Sequence, residues 1–76
     1  MIYELLDTDG FNLVGAYETE EEAFSVVRQL VAVNGFDYVR TLSLLQSDED
    51  DNKSVIAIGF ELAQRAQIPE PATIPR

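Results

Sequence analysis

Residues 19–35 read TEEEAFSVVRQLVAVNG, which is the pattern of one amphipathic α-helix with marked ends. Thr19 and Glu22 match a capping box, in which the Thr19 hydroxyl accepts from the Glu22 amide and the Glu22 side chain reaches back. The acids of the first turn favour the positive end of the helix dipole. Asn34 followed by Gly35 predicts the end of the helix, with Gly35 in a left-handed cap.

This predicted helix has one apolar face. Its apolar residues recur at helical spacing, whereas Ser25, Arg28 and Gln29 fall on the opposite side. The apolar set is Ala23, Phe24, Val27, Leu30 and Val31, widened by Val26 and Val33. Such a helix needs a second layer against which to bury that face.

The residues before the helix predict a β-hairpin. Residues 2–7 are mostly apolar and aromatic, and residues 11–17 alternate, so both segments have strand character. Between them Asp7, Thr8, Asp9 and Gly10 form a turn sequence. Both faces of these strands carry apolar residues, so the pattern leaves open which face is buried.

A second pair of strands is predicted after the helix. Residues 38–46 and 54–59 have β character, and residues 60–67 have the spacing of a short second helix. Residues 47–53 contain four consecutive acids, which repel one another and therefore belong in a solvated loop. Residues 68–76 contain three prolines and are expected to form an extended, mobile tail.

These elements predict an α+β fold. We expect a four-stranded, mainly antiparallel sheet in ββαββ order, with the main helix on one face and a short C-terminal helix. Residues 1–67 would form a single domain, and residues 68–76 would be the tail. The excess of apolar residues on both strand faces favours dimerisation, which would cover the outer sheet face or an exposed edge strand.

Length and charge limit the function. The chain has 76 residues, enough for one domain, and 46% of them are hydrophobic, so it can bury a core. Its 14 acids against 5 Lys plus Arg give a net charge of −9. This charge repels phosphate, so nucleic acids and anionic membranes are disfavoured as partners, whereas a basic protein would be attracted.

Several residue types needed for common catalytic sites are missing. The chain has no His and no Cys, which excludes a Ser-His-Asp triad, an imidazole or thiolate metal site and a cysteine nucleophile. A body of this size also has little concavity in which to separate and desolvate two carboxyl groups. We therefore expect no enzyme and no cofactor. The lack of Cys and of any signal-like or membrane-spanning segment fits a cytoplasmic protein.

The order of elements resembles known hairpin-helix-hairpin proteins. Residues 1–5 (MIYEL), the acid-led helix and Asn34-Gly35 make residues 1–60 similar in pattern to the immunoglobulin-binding domains of streptococcal protein G. This chain has no Trp and more apolar later strands, so immunoglobulin binding is not carried over. The early order also resembles ubiquitin-like grasp folds, but Ile74-Pro75-Arg76 lacks the Gly-Gly that conjugation needs.

A further resemblance covers nearly the whole sequence. Residues 7–23, with their turn, Leu13-Val14-Gly15 and acids leading into Ala23, resemble small bacterial proteins that are mostly uncharacterised. So does the closing pattern Gly59-x-x-Leu62-Ala63-x-x-Ala66. This resemblance implies no activity.

The sequence therefore favours a non-enzymatic acidic interaction module that associates with itself or with another protein. One form of this hypothesis is an antitoxin-like protein or inhibitor that covers a basic partner. The residues expected to contact a partner are those of the acidic loop and the start of the tail: Asp48, Glu49, Asp50, Asp51, Ile68, Pro69 and Pro71.

Two alternatives stay open. The first is an acidic cation-binding protein that uses residues 48–51. Asp50, Asn52 and Ser54 match positions 1, 3 and 5 of a calcium-binding loop, and Glu61 matches position 12. Val55, however, stands at position 6, where the sharp turn needs Gly. The second alternative is a structural homo-oligomer without further ligand.

Overall fold

The computed structural model describes residues 1–10 and 12–69. Four strands, two α-helices and one 3₁₀ helix follow one another along the chain. Their order is β1 (Ile2–Asp7), β2 (Asn12–Tyr17), α1 (Glu20–Asn34), the 3₁₀ helix (Phe36–Thr41), β3 (Leu42–Ser47), β4 (Lys53–Ile58) and α2 (Phe60–Arg65).

The strands form one open sheet with the order β2-β1-β3-β4, and every neighbouring pair is antiparallel. This arrangement confirms the predicted α+β class. The chain leaves the edge strand β2, passes through α1 and enters β3 on the far side of β1. Because of this crossover, α1 lies on one face of the sheet and the first and third strands become the central pair.

The core lies between α1 and this sheet face. Leu5 of β1 is opposite Leu44 of β3, which is itself opposite Ala57 of β4. Leu5 and Leu44 are fully buried, as are Leu42 and Val27. The other buried apolar residues of the helices are Ala23, Phe24, Val31, Leu62, Ala63 and Ala66. The apolar face predicted for α1 is therefore the one that packs on the sheet.

The predicted ends of α1 are found, with two differences in detail. The Thr19 hydroxyl accepts a hydrogen bond from the Glu22 amide at 3.1 Å, as in a capping box. The reciprocal bond, from the Thr19 amide to the Glu22 carboxylate, does not form between these two described residues. Gly35 has φ 96° and ψ 160°, so its φ is positive but its ψ lies outside the left-handed helical region.

The third strand is shorter than the sequence predicts. We expected strand from residue 38 onward, but residues as far as Thr41 belong to the 3₁₀ helix, and β3 begins at Leu42. Tertiary contacts hold this turn: the Tyr38 hydroxyl donates to Asp7 Oδ2 at 3.2 Å, and Val39 is fully buried. Local β propensity is overridden because the chain must cross the end of the sheet within a few residues.

The Tyr38 hydroxyl titrates above its ordinary range. Partial burial raises its pKa, and the hydrogen bond to the Asp7 carboxylate and the negative charge of that group raise it further. Neutral Tyr38 is thus the form that the fold stabilises.

Each edge strand of the sheet contains a β-bulge. Leu5 and Leu6 are opposite Gly15 and Leu13, so Val14 is an extra residue in β2. Leu44 and Leu45 are opposite Ala57 and Val55, so Ile56 is an extra residue in β4. The bulges break the simple alternation of both strands, which explains why alternation alone could not identify the buried face.

The packed part of the chain continues beyond residue 67. Ile68 packs against the core cluster, and its amide donates to the Ala63 carbonyl at 2.9 Å. An apolar contact and a backbone hydrogen bond thus hold Ile68, the first residue of the expected tail. Residues 70–76 of the expected tail lie outside the described part of the chain.

Candidate protein-interaction surface

The sheet face opposite α1 carries several apolar side chains that the described elements leave uncovered. We call it the outer face. The strand register arranges it in three cross-strand rows. The rows are Leu13, Leu6, Ser43 and Ile58; then Ala16, Glu4, Leu45 and Val55; and finally Ile2, Ser47 and Lys53.

Large apolar side chains on the outer face are open to solvent. The exposed fractions are 56% for Leu13, 57% for Val55 and 52% for Ile58. Ile2, in the third row, is 40% exposed. Exposed apolar residues scattered singly are ordinary on proteins, but several on one sheet face, with the half-buried Leu6 and Leu45 between them, are typical of an interaction site.

The outer face carries one ion pair. Lys53 Nζ lies 3.2 Å from Glu4 Oε1, and the Glu4 side chain is about one-fifth exposed at 21%. Within residues 1–10 and 12–69, the three rows contain no other Asp, Glu, Lys or Arg. The outer face is therefore electrically balanced, although the chain as a whole has a charge of −9.

The remaining described acids lie elsewhere on the molecule. Glu20, Glu21 and Glu22 occupy the first turn of α1, on the helix side. Asp48 to Asp51 lie in the loop between β3 and β4, and Glu61 lies in α2. Apart from Glu4 of the ion pair, none of the described acids belongs to the three rows of the outer face.

The acidic loop is a solvated turn, as the sequence predicts. Asp48 Oδ1 accepts from the amides of Asp50 and Asn52, each at 2.9 Å. These bonds favour the ionised form, so the hydrogen bonds from Asn52 above all lower the pKa of the Asp48 carboxyl. Asp51 has φ 64°, a left-handed conformation that Asp tolerates in turns. The Asp48 carboxylate therefore acts as a structural cap of the loop.

The loop geometry gives no support to a cation site. Ser54, a ligand in the calcium-loop frame, belongs to β4, and Glu61, its twelfth position, belongs to α2. Within the described ranges, no group of three or more Asp, Glu, His or Cys side chains is placed to hold a metal ion. Asp48 instead uses its oxygens within its own loop.

The structure does not bring the expected contact residues together into one surface. Asp48, Glu49 and Asp50 line a shallow cavity with Met1, at one end of the sheet. Ile68 and Pro69 line a different groove, of about 230 Å³, on the helix side with Val31 and Ala32 of α1. Pro71 lies outside the described residues.

The sequence analysis predicted the acidic loop but did not identify the residues of the outer face. The available signal was the occurrence of apolar residues on both faces of the strands, which indicated that one apolar face would stay uncovered. Assigning residues to that face required the positions of the two bulges, which the sequence does not reveal.

Comparison with known proteins found no similar protein: no family model, no curated protein and no solved structure matches this chain. The resemblances to small bacterial hairpin-helix-hairpin proteins, to protein G domains and to grasp folds therefore stay predictions. Among the residues that the structure describes, the longest helix, α1, is too short and too polar to cross a membrane.

Proposed function

We propose that this chain is a non-enzymatic protein-interaction module that binds its partner through the outer face. The observation that carries this proposal is the solvent exposure of Leu13, Val55 and Ile58 on one side of the sheet. Burying such side chains releases water from apolar surface, which is the main driving force of protein association.

The chemistry of the outer face favours a protein partner. Its rows present aliphatic side chains, two buried serines and one balanced ion pair, with no positive cluster that could neutralise phosphates. An aliphatic, locally neutral surface is suited to another aliphatic protein surface. A cytoplasmic location belongs to this proposal, since a chain without Cys needs no oxidising compartment.

A second candidate function rests on the acidic loop. Glu49, Asp50 and Asp51 are exposed, and all of them remain available to a basic partner because Asp48 alone caps the loop. A basic protein held there, as in the antitoxin-like or inhibitor hypothesis, would be steered by long-range attraction. Such a complex should weaken steeply with added salt.

Site-specific photocrosslinking tests the use of the outer face. A benzophenone amino acid is placed at position 55 on the outer face or, as a matched control, at position 33. Both positions are occupied by Val and both are exposed, at 57% and 83%, but Val33 lies near the end of α1. We expect irradiation in cells of the source organism to give intermolecular adducts from position 55 and far fewer from position 33.

The comparison between the two positions decides the outcome. Equal yields of adduct at both positions, or no intermolecular adduct from either, would contradict the proposed use of the outer face. Adducts from a probe at position 50, with none from position 55, would favour the acidic loop as the docking site instead.

A further inference from the structure

We propose that the occupant of the outer face is a second copy of this chain, so that two sheets stack face to face across a twofold axis. This inference rests on the proposed function, since it names the partner of the same surface. It is carried by three features of the described residues: the charge balance of the outer face, the bulged edge strands and the extent of the exposed apolar rows.

The charge balance of the outer face favours a second copy over a basic protein as its partner. A basic protein would gain little from the outer face, because Glu4 is already paired with Lys53 at 3.2 Å and the free acids lie elsewhere. A second copy brings the same balanced pair. In a twofold arrangement the two balanced pairs meet without net charge, so the contact is self-complementary.

The shape of the edge strands disfavours edge-to-edge pairing, which is the other common way for two sheets to associate. Pairing edge to edge needs a regular row of free amides and carbonyls. Val14 interrupts that row in β2, and Ile56 interrupts it in β4. With both described edges bulged, stacking through the outer face is the favoured geometry.

The exposed apolar side chains favour a small interface, and therefore a reversible dimer. Leu13, Val55 and Ile58 are each more than half exposed, and Ile2 adds a further exposed side chain. A specific interface between two such faces must bury on the order of 1,000 Å² in total, which is the lower limit for stable association. The dimer is therefore expected to dissociate upon dilution.

Sedimentation equilibrium of the purified chain over a wide concentration range measures this association. We expect the mass to rise from 8.5 kDa toward twice that value as concentration increases. Val55→Lys places an unpaired charge in the interface and should weaken the dimer at least about tenfold. Val33→Lys changes the net charge equally, at an exposed position on α1, and should leave the dimer intact.

A charge-reversal pair tests whether the two faces are copies of one another. Lys53→Glu gives each face two acids, and Glu4→Lys gives each face two bases, so each variant alone should be monomeric. Mixed in equal amounts, the two variants should form a heterodimer, which native mass spectrometry distinguishes by mass. Circular dichroism of each variant confirms that it is folded.

Salt distinguishes a second copy from a basic partner. Two chains of charge −9 repel one another outside their contact. Raising NaCl from about 0.05 M to about 0.5 M screens this repulsion and should strengthen the dimer, whereas a complex with a basic protein would weaken.

Several results would overturn the inference. They are a mass of 8.5 kDa at every concentration, equal dimer affinity for the Val55→Lys and Val33→Lys variants, and no heterodimer from the mixed charge variants. A crosslink from position 55 to residues 70–76 of the same chain would overturn it as well. If position 55 gave adducts to a different protein and the purified chain were monomeric, the inference of a second copy would be wrong, but the proposed function would stand.

Discussion

At the scale of single residues, polar side chains fix the turns of this protein. Asp48 binds the amides of its own loop, and Gly35 provides the positive φ, 96°, that ends α1. These features involve residues close together in the chain. Each depends on a single residue: the carboxylate of Asp48, or the lack of a side chain at Gly35. Asp48 is therefore an acid whose role is structural, although it stands within a run that resembles a ligand set.

Asp48 should contribute to stability only where it is ionised. Its pKa is lower in the folded chain than the ordinary value of 3.8, so its contribution is present above that value and is lost as pH falls through the folded pKa. We expect Asp48→Asn to be less stable than the parent chain at neutral pH. Urea denaturation at a series of pH values should show the difference shrinking below pH 3.8. A difference that stays constant down to about pH 2 would contradict this role.

At the scale of elements, α1 is the best-defined unit because several local signals agree. Thr19 caps its first turn with a 3.1 Å bond, acids follow the cap, and the apolar residues face the sheet. The 3₁₀ helix shows the opposite case. Its residues have strand propensity, but the buried Val39 and the bond from Tyr38 to Asp7 hold it as a turn.

Thr19→Ala removes the hydroxyl that caps α1. We expect a loss of about 1 kcal/mol in the free energy of unfolding, the usual effect of losing such a cap. Ser25→Ala is a suitable control, because it removes a hydroxyl from the interior of the same helix and replaces it with a better helix former. Chemical denaturation of both variants measures the effect. Equal stability of the two variants would show that the cap contributes nothing.

At the scale of the whole molecule, Arg28 connects the two helices. Its Nη1 donates to the Ala66 carbonyl at the end of α2, at 3.0 Å, and its Nη2 donates to Glu21 at 2.5 Å. The sequence pattern had placed Arg28 on the solvent side of α1. In the fold it is a bridge, because α2 and the residues after it return to pack beside α1.

The two hydrogen bonds of Arg28 should contribute unequally to the free energy of unfolding. The contact with Ala66 is partly buried and neutralises the carbonyl end of a helix, so Arg28→Ala should cost about 1 kcal/mol. The Glu21 side chain is 75% exposed, and Glu21→Ala should cost less than about 0.5 kcal/mol. Thermal and urea unfolding of both variants test this ranking. A larger loss for Glu21→Ala than for Arg28→Ala would refute it.

The candidate site was only partly predictable from the sequence, because some of its features depend on neighbouring residues and others depend on contacts between distant elements. The acidic loop was predicted because four adjacent acids repel one another whatever the fold, and the structure places them in a turn. Ile68 was expected in the tail, but it packs on the core. The groove that holds Ile68 exists only after α1 and α2 have come together, so the local sequence does not reveal this contact.

Sequence alone was enough to predict the ends and the buried face of α1, the number of strands, the acidic turn and the α+β class. These depend on contacts between residues close in the chain, where periodicity, caps and charge act directly. Sequence could not predict the order β2-β1-β3-β4, the bulges at Val14 and Ile56, or which residues form the outer face. Those features depend on which strands pair across the sheet and in which register. The residue pattern within one strand does not show which distant strand is its partner.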